Sequence, residues 1–126
     1  MAKLFLAIAA ILGGLSVAGG AFATHSLKNS LSEKALATFE TGIRYQMYHA
    51  LALLIIALLL LTSSTAPQLL TASGWAFVAG VVFFSGSLYV LSLANIKWMG
   101  AVAPLGGLGF LTGWGLLAIA AVWIKV

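Results

Sequence analysis

The chain contains no cysteine and no aspartate, and its 126 residues carry only six basic and two acidic side chains. The missing cysteine rules out disulfides, thiolate metal sites and cysteine nucleophiles. The missing aspartate, with no serine in a nucleophile-elbow context, argues against a serine hydrolase. Glu33 and Glu40 are the only carboxylate side chains, a poor endowment for general acid–base work. The expectation is a protein that is not an enzyme, with no catalytic residue, no metal and no cofactor. Charged residues make up 6% of the chain, against roughly 25% in soluble domains. That is too few to build a polar shell. The basic groups Lys3, Lys28, Lys34, Arg44, Lys97 and Lys125 are scattered, with no basic run or stacking platform, so nucleic-acid binding is not expected.

What the chain has is apolar length. It is 63% hydrophobic, with a mean hydropathy of +1.15. No formal charge occurs from Tyr45 to Ile96, from Leu4 to Thr24, or from Trp98 to Ile124. A spanning helix needs about 20 apolar residues. The long bare stretch is broken at Thr62-Ser63-Ser64-Thr65-Ala66-Pro67-Gln68, where short hydroxyl side chains compete with helical hydrogen bonds and Pro67 lacks an N–H. Four spans result, at about 4–23, 45–61, 69–94 and 101–124. The predicted fold is an all-α membrane protein: a single domain forming a four-transmembrane antiparallel helical bundle. Lys3, an apolar run and Ala21-Phe22-Ala23 also have the outline of a cleavable secretory signal. The apolar run is longer and richer in glycine than a signal core, which favours a retained span.

Between the first two spans, Leu31, Ala35, Phe39 and Ile43 recur at helical spacing. They predict an amphipathic interfacial helix over about 32–44, continuous with or bent into the second span. Either Ser30, paired with Glu33 in a capping box, or Ser32 would start it. Lys28, Lys34, Arg44 and Lys97 fall on one side of the layout, Lys3 and Lys125 on the other. The positive-inside rule then puts both charged connections in the cytoplasm. Trp75 and Trp123 mark one interface, and Tyr45, Tyr48 and Trp98 the other. Trp114 is expected inside the bundle, over the flat surfaces of Gly113 and Gly115.

Eight residues form the candidate functional cluster. His25 ends the first span and His49 lies just inside the second, on the same side. Two imidazoles near one interface could hold a metal, a haem iron or a proton. The plainer reading is that each hydrogen-bonds at headgroup level and ties helices together. Glu40, Arg44, Tyr45, Tyr48 and His49 make the densest polar group, linked by i,i+4 spacings. They could bind an anionic headgroup or gate a path, or simply anchor the interface. Ser85 and Tyr89, continued by Ser92, share a helical face, and Thr112 lies at similar depth. These hydroxyls suit either a polar path or interhelical hydrogen bonds. Glycines at 13–14, 19–20, 80, 86, 106–107, 109 and 113 allow close backbone approach. Pro104 could kink the start of the fourth span.

Four segments in order carry a resemblance: Gly20-Ala21-Phe22-Ala23-Thr24-His25, Tyr45 to Leu54, Phe84-Ser85-Gly86-Ser87-Leu88-Tyr89, and Pro104-Leu105-Gly106-Gly107 with Phe110 and Gly113-Trp114. Together they resemble the domain-of-unknown-function 423 family of small bacterial membrane proteins, whose eukaryotic relative is transmembrane protein 256. Ala23 stands where the family often has glycine, a small-for-small change. The resemblance implies a multi-pass protein of the cell membrane and supplies no reaction. It directs attention to His25, Arg44, His49, Ser85, Tyr89, Pro104 and Trp114.

Three functions are compatible with this reading. The first is a structural or accessory protein with membrane lipids around it, working as a homo-oligomer or within a larger complex. The second is a minimal oligomeric transporter or channel. The third is a cofactor- or headgroup-binding protein using His25, His49 and Arg44.

Overall fold

A computed structural model describes residues 1–125, and the chain folds as a bundle of helices. Helix α1 (Ala2–His25) leads through a 3-10 turn (Leu27–Asn29) to α2 (Glu33–Thr62). Helix α3 (Pro67–Gly80) passes through a π-helical turn (Val81–Ser85) into α4 (Gly86–Ala94). A second 3-10 turn (Lys97–Ala101) precedes α5 (Ala103–Trp123). Four helical stretches are long and apolar enough to cross a bilayer: Ala2–His25, Glu33–Thr62, Pro67–Ala94 and Lys97–Trp123. The protein is thus a four-span, all-helical integral membrane protein.

The boundaries follow from local chemistry. Ser32, not Ser30, caps α2: its extended backbone lets Oγ accept from the Ala35 N–H at 3.1 Å. Glu33 in the first turn complements the helix dipole. The expected amphipathic segment is the first part of α2, continuous with the second span. At 30 residues, α2 is about 45 Å long, well beyond a ~30 Å hydrocarbon layer. Its leading turns stand at or beyond the headgroups. Helix α2 stops at Ser63, whose hydroxyl pairs with that of Thr65 at 2.8 Å. Ala66 turns the chain in the left-handed region (φ 54°) and Pro67 starts α3. At the other end Asn95, also left-handed, ends α4. Pro104 sits in the first turn of α5, where its missing N–H costs nothing, so it begins that helix without kinking it.

Helix α1 packs on α2, α5 packs on α3 and the π turn, and α2 joins the two pairs through its contacts with α3, the π turn and α4. The core runs through Phe5, Ala9, Leu53, Ile56, Leu70, Phe77 and Phe110. A smaller cluster of Ala23, Leu27 and Phe39 closes the end that carries the Leu27–Asn29 turn. The α3–α5 contact is made possible by glycine. A Cβ on Gly106 would run into the backbone of Phe84, and one on Gly113 would meet the Phe77 ring. Gly80 in turn leaves room for the Phe110 ring. Ser73 bridges the same seam, its Oγ donating to the Gly113 carbonyl at 2.7 Å.

Candidate polar core and its surroundings

The eight candidate residues separate into an inward set, an outward set and one residue apart from both. The inward set is His49, Ser85 and Tyr89, and it gains Gln46 and Trp114. Gly42, Gln46 and His49 lie at i, i+4 and i+7 along α2 and all face the interior. Gln46 is the centre of a chain of bonds. Its Nε2 donates to the Leu12 carbonyl of α1 at 2.9 Å, and its Oε1 accepts from Tyr89 Oη of α4 at 2.6 Å. Ser85 Oγ donates to the Gly42 carbonyl at 2.7 Å. That carbonyl is within reach because Gly42 has no side chain: a Cβ there would meet the Tyr89 ring and the Ser85 carbonyl. Ser85 closes the π-helical turn, a backbone device that re-aims side chains within a helix.

His49 makes the link to α5. The Trp114 indole Nε1–H donates to His49 Nε2 at 3.1 Å, and His49 Nδ1 lies 2.7 Å from the Tyr45 carbonyl. An indole is only a donor, so Nε2 is the acceptor and Nδ1 bears the proton. Both ring nitrogens are then satisfied in one tautomer. The imidazole also stacks on Phe110, centroids 3.6 Å apart and planes 9° from parallel, and Phe77 packs against both His49 and Trp114. His49 is near the middle of α2, and Trp114 is near the middle of α5. The pair therefore sits deep in the bundle. His49 is thus buried between helices and ties α2 to α5, as the plainer reading of the two histidines expects of a helix-linking ring. Trp114 is not enclosed as expected: the indole is 46% exposed, and it reaches inward through its N–H to His49 and its ring against Phe77.

The outward set is Glu40, Arg44, Tyr45 and Tyr48, all exposed along α2. Arg44 Nη2 donates to Thr41 Oγ1 at 3.3 Å, on its own helix, rather than pairing with Glu40. Tyr45 and Tyr48 meet edge to face at 5.6 Å, and Tyr45 leans on Phe84. These are the contacts of an interfacial belt. His25 is exposed at the end of α1, so the structure does not bring its ring to the buried His49. Among the described residues no three His, Cys, Asp or Glu side chains converge as metal ligands. Thr112 faces outward on α5, away from Ser85, Tyr89 and Ser92. Ser92 Oγ donates to the Tyr89 carbonyl at 3.2 Å.

Chemically, the interior holds an amide, a phenol, an imidazole, an indole and hydroxyls, each tied to a hydrogen-bond partner. Among the described residues no buried side-chain nitrogen or oxygen lacks a partner. Gln46 and Ser73, central to this arrangement, were not singled out from sequence. The available signal for Gln46 was its place on one helical face with Gly42 and His49 in an otherwise apolar run; Ser73 offered no comparable signal.

Residues 19–107 match the family described as "Protein of unknown function (DUF423)". Curated relatives are similar along nearly the whole chain. The UPF0382 membrane protein SH2409 of Staphylococcus haemolyticus is 44% identical over 118 residues, covering 94% of each chain. The UPF0382 membrane protein YwdK of Bacillus subtilis is 43% identical over 120 residues, 95% of this chain and 97% of that one. No solved structure matches. Four apolar spans, the signature segments around His49 and Ser85, and these relatives agree: the chain belongs to the DUF423 family of multi-pass cell-membrane proteins.

Proposed function

We propose that this protein is a non-enzymatic accessory component of the membrane that works by packing its helices against further copies of itself. The observation that carries the reading is the outer face of α1. Ala10, Gly14 and Ala18 recur there at four-residue spacing and are exposed, and nothing lies within 4 Å of where a Cβ on Gly13 or Gly14 would stand. Small residues that open helix backbone to the lipid are the usual surface for helix–helix association in membranes. Beside them runs an apolar groove of about 320 Å³, walled by Met47, Leu51 and Leu54 of α2. Inside the protomer, by contrast, polar groups are consumed in holding four spans together, which suits a scaffold.

The test is oligomeric state. In mild detergent and in nanodiscs, wild-type protein should run as a defined oligomer, and Gly14→Leu should shift it to monomer with its helicity kept. Monomeric wild type in several detergents and in lipid would remove the basis for the reading.

A transporter is the second reading, and its support is an ionisable residue, His49, buried between membrane-spanning helices. Both of its ring nitrogens are engaged, so transport would have to open the Trp114 bond. Liposome flux of protons and small ions decides: a flux abolished by His49→Phe would favour this reading, and no flux from wild type would end it.

A further inference from the structure

We infer that the groove between the start of α2 and the α4–α5 connection is a binding site for a phosphate-bearing anion, either a phospholipid headgroup or free phosphate. The groove has a volume of about 540 Å³ and brings Lys34 of α2 together with Lys97, which is distant in sequence, and Asn95. Its lining contains no carboxylate. Neither the concave surface along α1 and α2 nor the one beside Trp98 has a charged residue in its wall, and the one that holds Lys125 has a single cation rather than two.

The donors can be assigned one by one. Thr38 spends its hydroxyl proton on the Lys34 carbonyl, and Ser92 spends its own on the Tyr89 carbonyl. Those two groups belong to the walls. Ser32 Oγ accepts from the Ala35 N–H, which leaves its own proton to donate. Two ammonium groups, one hydroxyl and the Asn95 carboxamide therefore remain to receive acceptor oxygens. A phosphate offers several acceptor oxygens and negative charge to such a set. Asn95 is held at the groove by its left-handed backbone (φ 54°) at the end of α4. Ala35 and Leu91 supply an apolar wall, suited to the glycerol and first methylenes of a lipid. Trp98, next to Lys97 and 69% exposed, marks headgroup depth, where lipid phosphates lie. This site is separate from Arg44, His25 and His49, the residues that sequence alone offered for headgroup binding.

The experiment is native mass spectrometry of the full chain released from nanodiscs, compared across four proteins. Wild type should retain phosphatidylglycerol in preference to phosphatidylcholine. Lys34→Gln and Lys97→Gln should each weaken retention roughly 5-fold, and together about 25-fold, as expected for loss of one cation each near a membrane surface. Lys125→Gln, at the opposite end of the bundle, removes the same charge and should change nothing. Millimolar inorganic phosphate that displaces the lipid assigns the site to phosphate itself; phosphate without effect assigns it to the intact headgroup. The proposal is overturned if the double variant retains phosphatidylglycerol like wild type, or if Lys125→Gln loses as much as Lys34→Gln.

Discussion

The seam between α3 and α5 and the outer face of α1 are written with the same residues and do opposite things. Both are rich in glycine, and both follow the small-residue spacing of associating membrane helices. At the seam, Gly106, Gly109 and Gly113 are consumed inside the protomer: they admit the Phe84 backbone, the Ala76–Gly80 turn and the Phe77 ring. On α1, Gly13 and Gly14 admit nothing that belongs to the same chain. The comparison shows that a small-residue pattern specifies closeness of approach but not the identity of the partner. Only neighbouring atoms decide whether a glycine is already used.

The sharpest way to break that contrast is substitution at Gly106. A methyl group there meets backbone, not the flexible end of a side chain, so α5 must move away from the π turn. Gly106→Ala should destabilise the fold by about 3 kcal/mol, the upper part of the overpacking range. Gly107→Ala is the matched control, since its Cβ would meet nothing within 4 Å. Reversible unfolding of both variants in mixed micelles measures the difference. Equal stability of the two would mean that the seam is not packed as described.

A smaller effect is expected where α2 meets α5 through polar atoms. Trp114→Phe removes the indole donor to His49 Nε2 but keeps an aromatic ring beside Phe77. His49→Phe keeps the stack on Phe110 and removes the acceptor. Double-mutant cycles for hydrogen bonds inside membrane proteins average about 0.6 kcal/mol and reach about 1.7, so the coupling of this pair should fall in that interval. The same unfolding assay, applied to both single variants and the double, gives the value. A coupling near zero would leave the pair a contact without energetic weight.

The two regions also differ in how far they could be read from sequence. Charge-free runs bounded by Pro67 and by Asn95–Lys97 located four spans, because the bilayer forces backbone hydrogen bonds to close within each helix. The amphipathic segment was legible from its period, but its union with α2 depends on how deep a 30-residue helix sits in lipid. The candidate cluster was half legible. His49, Ser85 and Tyr89 do meet in the interior, while Glu40, Arg44, Tyr45 and Tyr48 face outward and His25 stands alone. Spacings of i,i+4 along one helix cannot show which face is turned inward when lipid and core are equally apolar. Gln46 was overlooked for a related reason. Its weight comes from bonds to Leu12 and Tyr89 on two other helices, and local sequence does not contain those distances. The π-helical turn that presents Ser85 to Gly42 has no sequence signature here either.

The smallest expected effect belongs to α1, and it separates the internal use of glycine from the external one. Gly14→Ala adds a methyl group that touches no atom of its own protomer. Under dilution into excess detergent, where association is lost, its unfolding free energy should stay within about 0.5 kcal/mol of wild type, as for other surface substitutions. The lower conformational freedom of alanine in the unfolded chain pulls towards slight stabilisation. If α1 associates as proposed, the same methyl group should weaken that association, because it would hold apart two backbones that glycine would let touch. A loss of stability that persists in the diluted, monomeric protein would mean that the α1 face is packed from within, and the contrast with the α3–α5 seam would disappear. A loss confined to the associated state would place the missing neighbour of Gly14 on another chain.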